Sequence, residues 1–482
     1  MANNKYMKKH TKIVATISDI RCEIDFIRQL YEAGMNVVRI NTAHASYEGI
    51  ARIVKNVREV SQRIAILIDT KGPEIRTTHC IDNLSIELKA GSTIRIVGDP
   101  TKETDNETIY VSYQKIAEEI SLQSHILFDD GEIAVIVDSK DNNALICTVL
   151  NSGKLGSRKS VNIPGVRIDL PSVTDRDKGF IKFATENDID FIAHSFVRCA
   201  NDVREVQQEL DKYNSPIKII AKIENQEGLN NIEEILEHVY GIMIARGDLG
   251  IEVPQEKIPL IQRQLIRKCV ESKKPVIVAT QMLHTMIQHP RPTRAEVTDV
   301  ANAIYYRTDA IMLSGETATG DYPVESVETM TRIAREVESA KEIQNDIPID
   351  LIKNDVRAYL ADAAVKATKG IPIKAVLTDS LTGRTARYLS AFRGAIPVFA
   401  LCYNKRVGRE LALSYGVSPR LTESGSSKSQ ILYNSIEKLK SENLLQNDHL
   451  IAYLGSSFGI GGGTTYLEII TVEGFLEKIE HY

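Results

Sequence analysis

Eight short β-branched runs, separated through much of the chain by amphipathic stretches, place the strongest constraint on the fold. The runs are Lys12 to Ile17, Asn36 to Asn41, Ala65 to Asp69, Asp190 to Phe196, Ile217 to Ile223, Gly241 to Ala245, Pro275 to Thr280 and Ala310 to Leu313. Helical periodicity falls between them, as in Tyr47 to Ser61, Asp202 to Tyr213, Gly228 to His238 and Pro259 to Ser272. Alternating strand and helix predicts parallel strands with crossover helices, and eight such units predict a closed (β/α)8 TIM barrel. An open sheet of six or seven units does not account for the count as well.

The rhythm breaks between Asp69 and Asp190, where only Thr174 to Asn187 reads as helix. Short alternating runs fill the rest: Leu84 to Leu88, Ser92 to Ile96, Leu127 to Gly131 and Ala134 to Val137. They predict an inserted small β-barrel lid domain, residues 73–169, hinged at Pro73 and at Pro164 to Pro171. An insertion in a βα loop lies over the active-site face of a barrel. After about Ile347 the pattern restarts with helical Val356 to Thr368, then Ala375 to Thr378, Pro397 to Leu401, His449 to Leu454 and Tyr466 to Val472. This predicts a C-terminal open-sheet α/β domain over 347–482, with the barrel formed by 1–72 and 170–346.

A chain of 482 residues is too long for one core, in keeping with this division. The net charge of −5 gives no electrostatic case for nucleic acid. No apolar run approaches a membrane span, and the basic opening (Lys5, Lys8, Lys9, His10) lacks the apolar stretch of a signal peptide. Six cysteines are scattered without metal or redox spacing. A cytoplasmic protein with structural thiols is expected.

Catalytic groups of such a barrel come from the C-terminal ends of its strands. Those ends read Arg39-Ile40-Asn41, Asp69-Thr70-Lys71, Ser195 to Arg198, Lys222-Ile223-Glu224, Arg246-Gly247-Asp248, Thr280-Gln281-Met282 and Ser314-Gly315-Glu316. No comparable polar set marks the N-terminal ends. Lys222 and Glu224, two apart on a strand, project to one side. In isolation such a pair is most simply a satisfied ion pair. Glu224 and Asp248 supply hard oxygen ligands that suit Mg²⁺ better than zinc. Gly247 lets backbone approach a ligand, and the amides opening a short helix can hold a carboxylate. Arg39 and Lys222 can neutralise a phosphoryl group in flight, and Lys222 can stabilise an enolate oxygen. Thr280 offers a hydroxyl for positioning or proton relay.

Several segments resemble those of the pyruvate kinase family: Met35 to Asn41, Leu67 to Arg76, Ala221 to Gly228, Ile244 to Gly250, Ala279 to Met282, Pro290 to Glu296 and Met312 to Ala318. The resemblance spans essentially the whole chain. It implies phosphoryl transfer from phosphoenolpyruvate to ADP in glycolysis, then protonation of the enolate to pyruvate. Lys222 would stabilise the transition state, Arg39 contact the phosphoryl group, and Glu224 and Asp248 hold Mg²⁺ (or Mn²⁺). The Gly247 and Asp248 amides with Thr280 would hold the substrate carboxylate. Asn41, His44, Arg76 and Lys159 fall at the nucleotide side. Asn41, Asp69 and Thr70 match ligands of the family's K⁺, and the resemblance implies a homotetramer.

Three departures stand out. The family's Asn-Phe-Ser-His-Gly reads Asn41-Thr42-Ala43-His44-Ala45, which removes a hydroxyl ligand of K⁺, while Glu74 resembles the K⁺-dependent branch. The family's Thr-Ile-Gly-Pro reads Thr16-Ile17-Ser18-Asp19, near the nucleotide base, and a lysine is replaced by Arg176. In the terminal domain Ser380, Thr382, Gly383, Arg384 and Thr385 resemble the family's loop for a phosphorylated effector, though an ordinary N-cap and turn reads the same way. Gly459 to Thr465 resembles the companion loop but lacks the arginine or tryptophan of fructose-bisphosphate-responsive members. A sugar phosphate, AMP or no effector all stay open. Two rivals to the kinase reading are an ADP-independent Mg²⁺-enolate enzyme and a catalytically weak metabolite-binding regulator. The lid and nucleotide-side residues oppose the first, and the retention of Lys222, Glu224, Asp248, Arg39 and Thr280 opposes the second.

Overall fold

In the computed structural model, which describes residues 9–43, 45–340, 347, 349, 355–422, 427–456 and 463–480, the eight runs are eight parallel strands. They are β1 (Lys12–Thr16), β2 (Val37–Asn41), β3 (Ala65–Asp69), β4 (Phe191–His194), β5 (Lys218–Ile223), β6 (Gly241–Ala245), β7 (Val276–Ala279) and β8 (Ala310–Leu313). Each pairs with its neighbours in chain order, and β8 returns to β1 to close the barrel. Both faces of the wall are covered, which is why Val, Ile and Leu dominate it.

Strand alternation sorts these side chains. Val14, Val37, Leu67, Phe191, Ile220, Met243, Ile277 and Met312 fill the interior. Ile13, Val38, Ile66, Ile192, Ile219, Ile242, Val278 and Ile311 pack outward under the helices. The same parity carries Arg39, Asp69 and Lys222 onto the axis at the C-terminal end, two residues past Val37, Leu67 and Ile220.

The helix Tyr47–Val60 shows how the outer ring forms. Ser46 caps it by accepting the Gly49 N–H at 3.1 Å, and Ile50, Ile53, Val54 and Val57 make the buried stripe. The stretch Gly228 to His238, expected as one helix, is two, Gln226–Asn230 and Ile232–His238. Asn231 separates them, its side chain donating to the Arg198 carbonyl at 2.9 Å.

Between β3 and β4 lies the inserted unit, a seven-stranded sheet. Its order is Ile75–Arg76, Ser160–Asn162, His125–Phe128, Ile133–Asp141, Ala144–Val149, Thr93–Gly98 and Thr108–Val111. A bridge from Thr77 to Val111 and a Thr78 N–H bond to the Tyr110 carbonyl at 2.9 Å join its ends into a nearly closed barrel. It has a core of its own around Ile96, Phe128, Val135 and Leu145. Its root is tight: Gly72 has φ +70°, and a Cβ there would stand 3.0 Å from the Phe196 ring. Beside it the Lys71 N–H donates at 2.9 Å to buried Asp177, which also completes the capping box of helix Asp175–Glu186.

The C-terminal sheet runs in the order Val417–Leu421, Val398–Cys402, Ile373–Ser380, Leu450–Gly455 and Tyr466–Thr471, the last antiparallel. Helices cover both faces. This unit docks on the N-terminal end of the barrel, where Ala412 and Leu413 join the interior cluster and Lys12 Nζ donates to the Val417 carbonyl at 2.6 Å.

Candidate active site

The C-terminal end of the barrel brings four charged groups into direct contact. Arg39 Nη2 lies 2.5 Å from Asp69 Oδ2, and its Nη1 donates to Thr16 Oγ1 at 3.2 Å. Lys222 Nζ lies 2.8 Å from Glu224 Oε1 and 3.6 Å from Asp69 Oδ2, and donates to Ser195 Oγ at 2.8 Å. The simple ion pair expected of an isolated Lys-x-Glu is therefore present, but as part of a larger network.

Burial opposes charge throughout this cluster, and mutual pairing decides the outcome. Burial works to lower Lys222, but Glu224, Asp69 and Asp248 outweigh it and hold the ammonium above its ordinary value. Burial also opposes the Arg39 guanidinium, which Asp69, Glu224 and Asp248 raise in turn. Asp69 is drawn down by Arg39 and Lys222 against its own burial. Glu224 alone goes the other way: burial, with Asp248 adding to it, pushes its carboxyl up to about 7 despite Lys222.

That strain bears on the metal. Glu224 and Asp248 line one cleft of about 490 Å³ between barrel and inserted unit, and each opposes the other's charge. A divalent cation relieves that repulsion, so the pair fits Mg²⁺ or Mn²⁺. Among the described residues no group of three or more His, Cys, Asp or Glu is set to hold a metal. Such a site draws its remaining oxygens from substrate and water. Asp69 Oδ1 is buried with no hydrogen-bond partner among the described residues, an arrangement that suits a cation such as K⁺. Thr70 Oγ1 instead bonds His194 Nδ1 at 3.0 Å and accepts the Ser195 N–H at 3.1 Å. Asn41 Oδ1 accepts the Ala43 N–H at 3.1 Å.

Gly247 opens the helix Arg246–Glu252, and its N–H donates to Thr280 Oγ1 at 2.8 Å. Thr280 and Gln281 both have positive φ, +67° and +55°. Arg246 holds that turn, its Nη2 donating to the Thr280 carbonyl at 2.7 Å while Nη1 is anchored on Asp299.

The nucleotide-side candidates are more dispersed. Arg76 lines the cleft and is paired with Glu74 at 2.7 Å. Lys159 is held by Asp129 at 2.8 Å within the inserted unit. His44 lies outside the described residues. The effector-loop candidates are far off, in the terminal domain: Ser380 Oγ accepts the Gly383 N–H at 2.9 Å, and Thr385 Oγ1 bonds Thr464 Oγ1 at 2.6 Å. Arg384 lies over the Tyr388 ring at 5.8 Å, and Thr382 supplies its carbonyl to Arg387. Residues 459–462 of the companion loop are also outside the described residues.

Comparison with known proteins adds a second line. Residues 8–327 match the family model for the pyruvate kinase barrel domain, and residues 359–470 match that for the pyruvate kinase alpha/beta domain. The chain belongs to the pyruvate kinase family. It is 46% identical to the pyruvate kinase of Borreliella burgdorferi over 97% of this chain and 98% of that one. It is 41% identical to that of Bacillus licheniformis, over 98% of this chain and 82% of the relative. A crystal structure of a pyruvate kinase from Cryptosporidium parvum matches with a TM-score of 0.90 at 34% identity, covering 97% of both chains.

In this chain, the departures noted in the sequence take physical form. Arg176 Nη2 donates to the Thr42 carbonyl at 2.9 Å and to that of Ala43 at 3.4 Å, bracing the loop that lacks the serine. Asp19 overhangs Gly49, where a Cβ would stand 2.5 Å from its Oδ2. Sequence reasoning gave no role to Ser195, Phe196 or Arg246. Ser195 links Lys222 to the Thr70 carbonyl, to which its hydroxyl donates at 2.7 Å. The Phe196 N–H donates to Glu224 Oε2 at 2.7 Å from a backbone with φ +56°. Their position at a strand end was the available signal.

Proposed function

We infer that the chain transfers the phosphoryl group of phosphoenolpyruvate to ADP, giving pyruvate and ATP in glycolysis, with Lys222, Arg39 and Thr280 as its catalytic residues. The observation that carries this assignment of roles is the contact network of Arg39, Asp69, Lys222 and Glu224 on the barrel axis. Phosphoryl transfer asks a protein mainly for positioning and charge. Arg39, pinned between Asp69 and Thr16, presents a fixed guanidinium to the phosphoryl oxygens. Lys222 stays an ammonium and is oriented by Ser195, so it can meet the negative charge that builds on the transferring group and on the enolate oxygen.

The amides of Gly247 and Asp248, with Thr280 Oγ1, hold the substrate carboxylate, and the hydroxyl carries a proton for delivery toward the enolate. Glu224 and Asp248 hold Mg²⁺ or Mn²⁺, which supplies Lewis-acid neutralisation of phosphoryl and enolate oxygens when bound. Asn41, Asp69 and Thr70 would hold K⁺, which would neutralise charge beside the phosphoryl group, and Ala43 leaves that set one hydroxyl short. Asn41, His44, Arg76 and Lys159 contact the nucleotide.

The same reading assigns 73–169 as a lid, 1–72 with 170–346 as the catalytic barrel, and 347–482 as a regulatory domain. It takes the protein to be a cytoplasmic homotetramer answering to a phosphorylated effector at Ser380, Thr382, Gly383, Arg384 and Thr385. No helix among the described residues is long and apolar enough to cross a membrane.

The test is pyruvate formation from phosphoenolpyruvate and ADP with Mg²⁺, with and without K⁺, for the native chain and Ala43→Ser. Turnover only with K⁺, at a lower half-saturating K⁺ in Ala43→Ser, is expected. Equal turnover without K⁺ removes the K⁺ assignment, and no turnover under any condition removes the catalytic roles.

A further inference from the structure

β4 ends on a histidine that the roles assigned above do not use. Strand alternation sets it apart from the axial groups, for His194 stands two residues past Ile192, which packs outward under the helices. Its side chain is fully buried there. Nδ1 lies 3.0 Å from Thr70 Oγ1, while Nε2 is buried with no hydrogen-bond partner among the described residues. The polar work of the ring is therefore directed at Thr70.

The hydrogen-bond network assigns the tautomer. A threonine hydroxyl offers one hydrogen and two lone pairs. Thr70 Oγ1 accepts the Ser195 N–H at 3.1 Å, and its own hydrogen finds an acceptor in His194 Nδ1. Nδ1 thus accepts, the ring carries its proton on Nε2, and the Thr70 hydroxyl is fixed with a lone pair aimed at Ser195.

Two further bonds make this a clasp between the ends of β3 and β4. The Thr70 N–H donates to the Ala193 carbonyl at 2.9 Å, and the Ser195 hydroxyl donates to the Thr70 carbonyl at 2.7 Å. The clasp holds the turn at Ser195 and Phe196, and that turn touches both members of the Lys222–Glu224 pair. Ser195 Oγ accepts from Lys222 Nζ at 2.8 Å, and the Phe196 N–H donates to Glu224 Oε2 at 2.7 Å. Phe196 does so with φ +56°, a backbone that a bulky residue keeps only when its surroundings hold it. Without the Nδ1 acceptor the Thr70 hydroxyl turns to find another, and the clasp loosens at its root.

We propose that His194 is a positioning residue for the reaction, holding Thr70 and through it the Ser195–Phe196 turn that aims Lys222 and Glu224. The proposal rests on the roles given above to Lys222 and Glu224.

The experiment compares the native chain with His194→Leu, His194→Asn, Thr70→Val and the double variant His194→Leu/Thr70→Val. Two quantities are read: kcat with phosphoenolpyruvate and ADP, and Mn²⁺ binding to the substrate-free protein by electron paramagnetic resonance of the free ion. His194→Leu is expected to lower kcat about tenfold and to weaken Mn²⁺ binding in parallel. His194→Asn, whose Oδ1 can stand where Nδ1 does, should recover most of both. On the Thr70→Val background His194→Leu should cost nothing more, because the ring acts through that hydroxyl. Thermal melts establish that each variant is folded, and His194→Ala takes the place of the leucine variant if that one is not. Losses that add in full in the double variant overturn the proposal and make His194 a packing residue. So does an asparagine variant as impaired as the leucine one, and so does native turnover with kcat and Mn²⁺ binding both intact in His194→Leu. Absence of turnover in the native chain overturns instead the catalytic reading beneath the proposal, and the proposal with it.

Discussion

Ser195 is the residue whose removal best separates positioning from bulk stability. Buried at the end of β4, it accepts from Lys222 Nζ at 2.8 Å and donates to the Thr70 carbonyl at 2.7 Å. Lys222 has two carboxylates to turn toward, Glu224 and Asp69, and the serine hydroxyl fixes where between them the ammonium sits. A hydrogen bond to a charged group contributes about 1.5–3 kcal/mol, so Ser195→Ala should lower kcat by roughly 10- to 100-fold. The same hydroxyl orders the Thr70 carbonyl, so the half-saturating K⁺ should rise in parallel. Ser195→Thr, which restores the hydroxyl, should recover part of both. Steady-state kinetics over a K⁺ series measures this. A loss confined to thermal stability, with kcat and K⁺ response intact, would make Ser195 an ordinary buried hydroxyl.

Among the elements, the helix Arg294–Tyr305 repays attention because the segment Pro290 to Glu296 is so distinctive in sequence, yet its visible work is structural. Thr293 and Glu296 form a reciprocal capping box, and Glu296 also accepts the Thr285 N–H at 2.7 Å and the Thr285 hydroxyl, tying the helix to the turn after β7. Burial raises the Glu296 carboxyl, but the bonds from Thr285 and Thr293 outweigh it and hold it below its usual range. A carboxylate with a depressed folded pKa adds stability that is present above its unfolded value, about 4.3, and is lost as pH falls through the lower folded value. Glu296→Gln should therefore cost about 1–2 kcal/mol at pH 7. Its deficit in Tm should shrink as pH falls from the unfolded value, about 4.3, through the lower folded one. A deficit that is constant from pH 7 to 3.5 would remove the charge from the account. The same scale shows what the sequence could and could not disclose. Barrel strands were legible because both faces of each are buried and their runs are β-branched throughout. The strand Val417–Leu421 was not, since Pro419 interrupts it and only an edge position tolerates that. The helix break at Asn231 depends on a carbonyl brought in by another element, the Arg198 loop. At the site, Arg39, Lys222, Glu224 and Asp248 are announced by type and spacing. A phenylalanine with positive φ donating its N–H to Glu224 has no such signature.

For the whole molecule, the N-terminal ends of the strands, where the sequence shows no polar set like that of the catalytic ends, nonetheless carry buried charges, and these are spent on domain docking. Asp309, just before β8, is buried and meets Arg393 of the terminal domain at 2.7 Å. Asp190, just before β4, is fully buried and meets Arg409 at 2.6 Å and Arg58 of the barrel at 2.9 Å. The two junctions differ in what remains when the terminal domain's arginine is removed. Asp190 would keep Arg58 and the Ile66 N–H at 2.9 Å. Among the described residues hydrogen-bonded to it, Asp309 would keep only neutral donors, the Val276 and Tyr415 N–H groups and the Ser390 hydroxyl, with Lys12 acting on it at longer range. Leaving a buried charge without its counter-ion costs about 3–5 kcal/mol, more than neutral hydrogen bonds restore. Arg393→Met should therefore lower unfolding free energy by about that amount, and Arg409→Met by distinctly less. Because the loss falls on one interface, Arg393→Met should also split denaturant unfolding into two steps, the terminal domain releasing before the barrel. Denaturant melts followed by kcat on the same samples provide the measurement. Turnover in the folded variant should hold, since Asp309 lies at the opposite end of the barrel from Lys222. A larger loss from Arg409→Met than from Arg393→Met would mean that Arg58 does not compensate Asp190 as its distance implies.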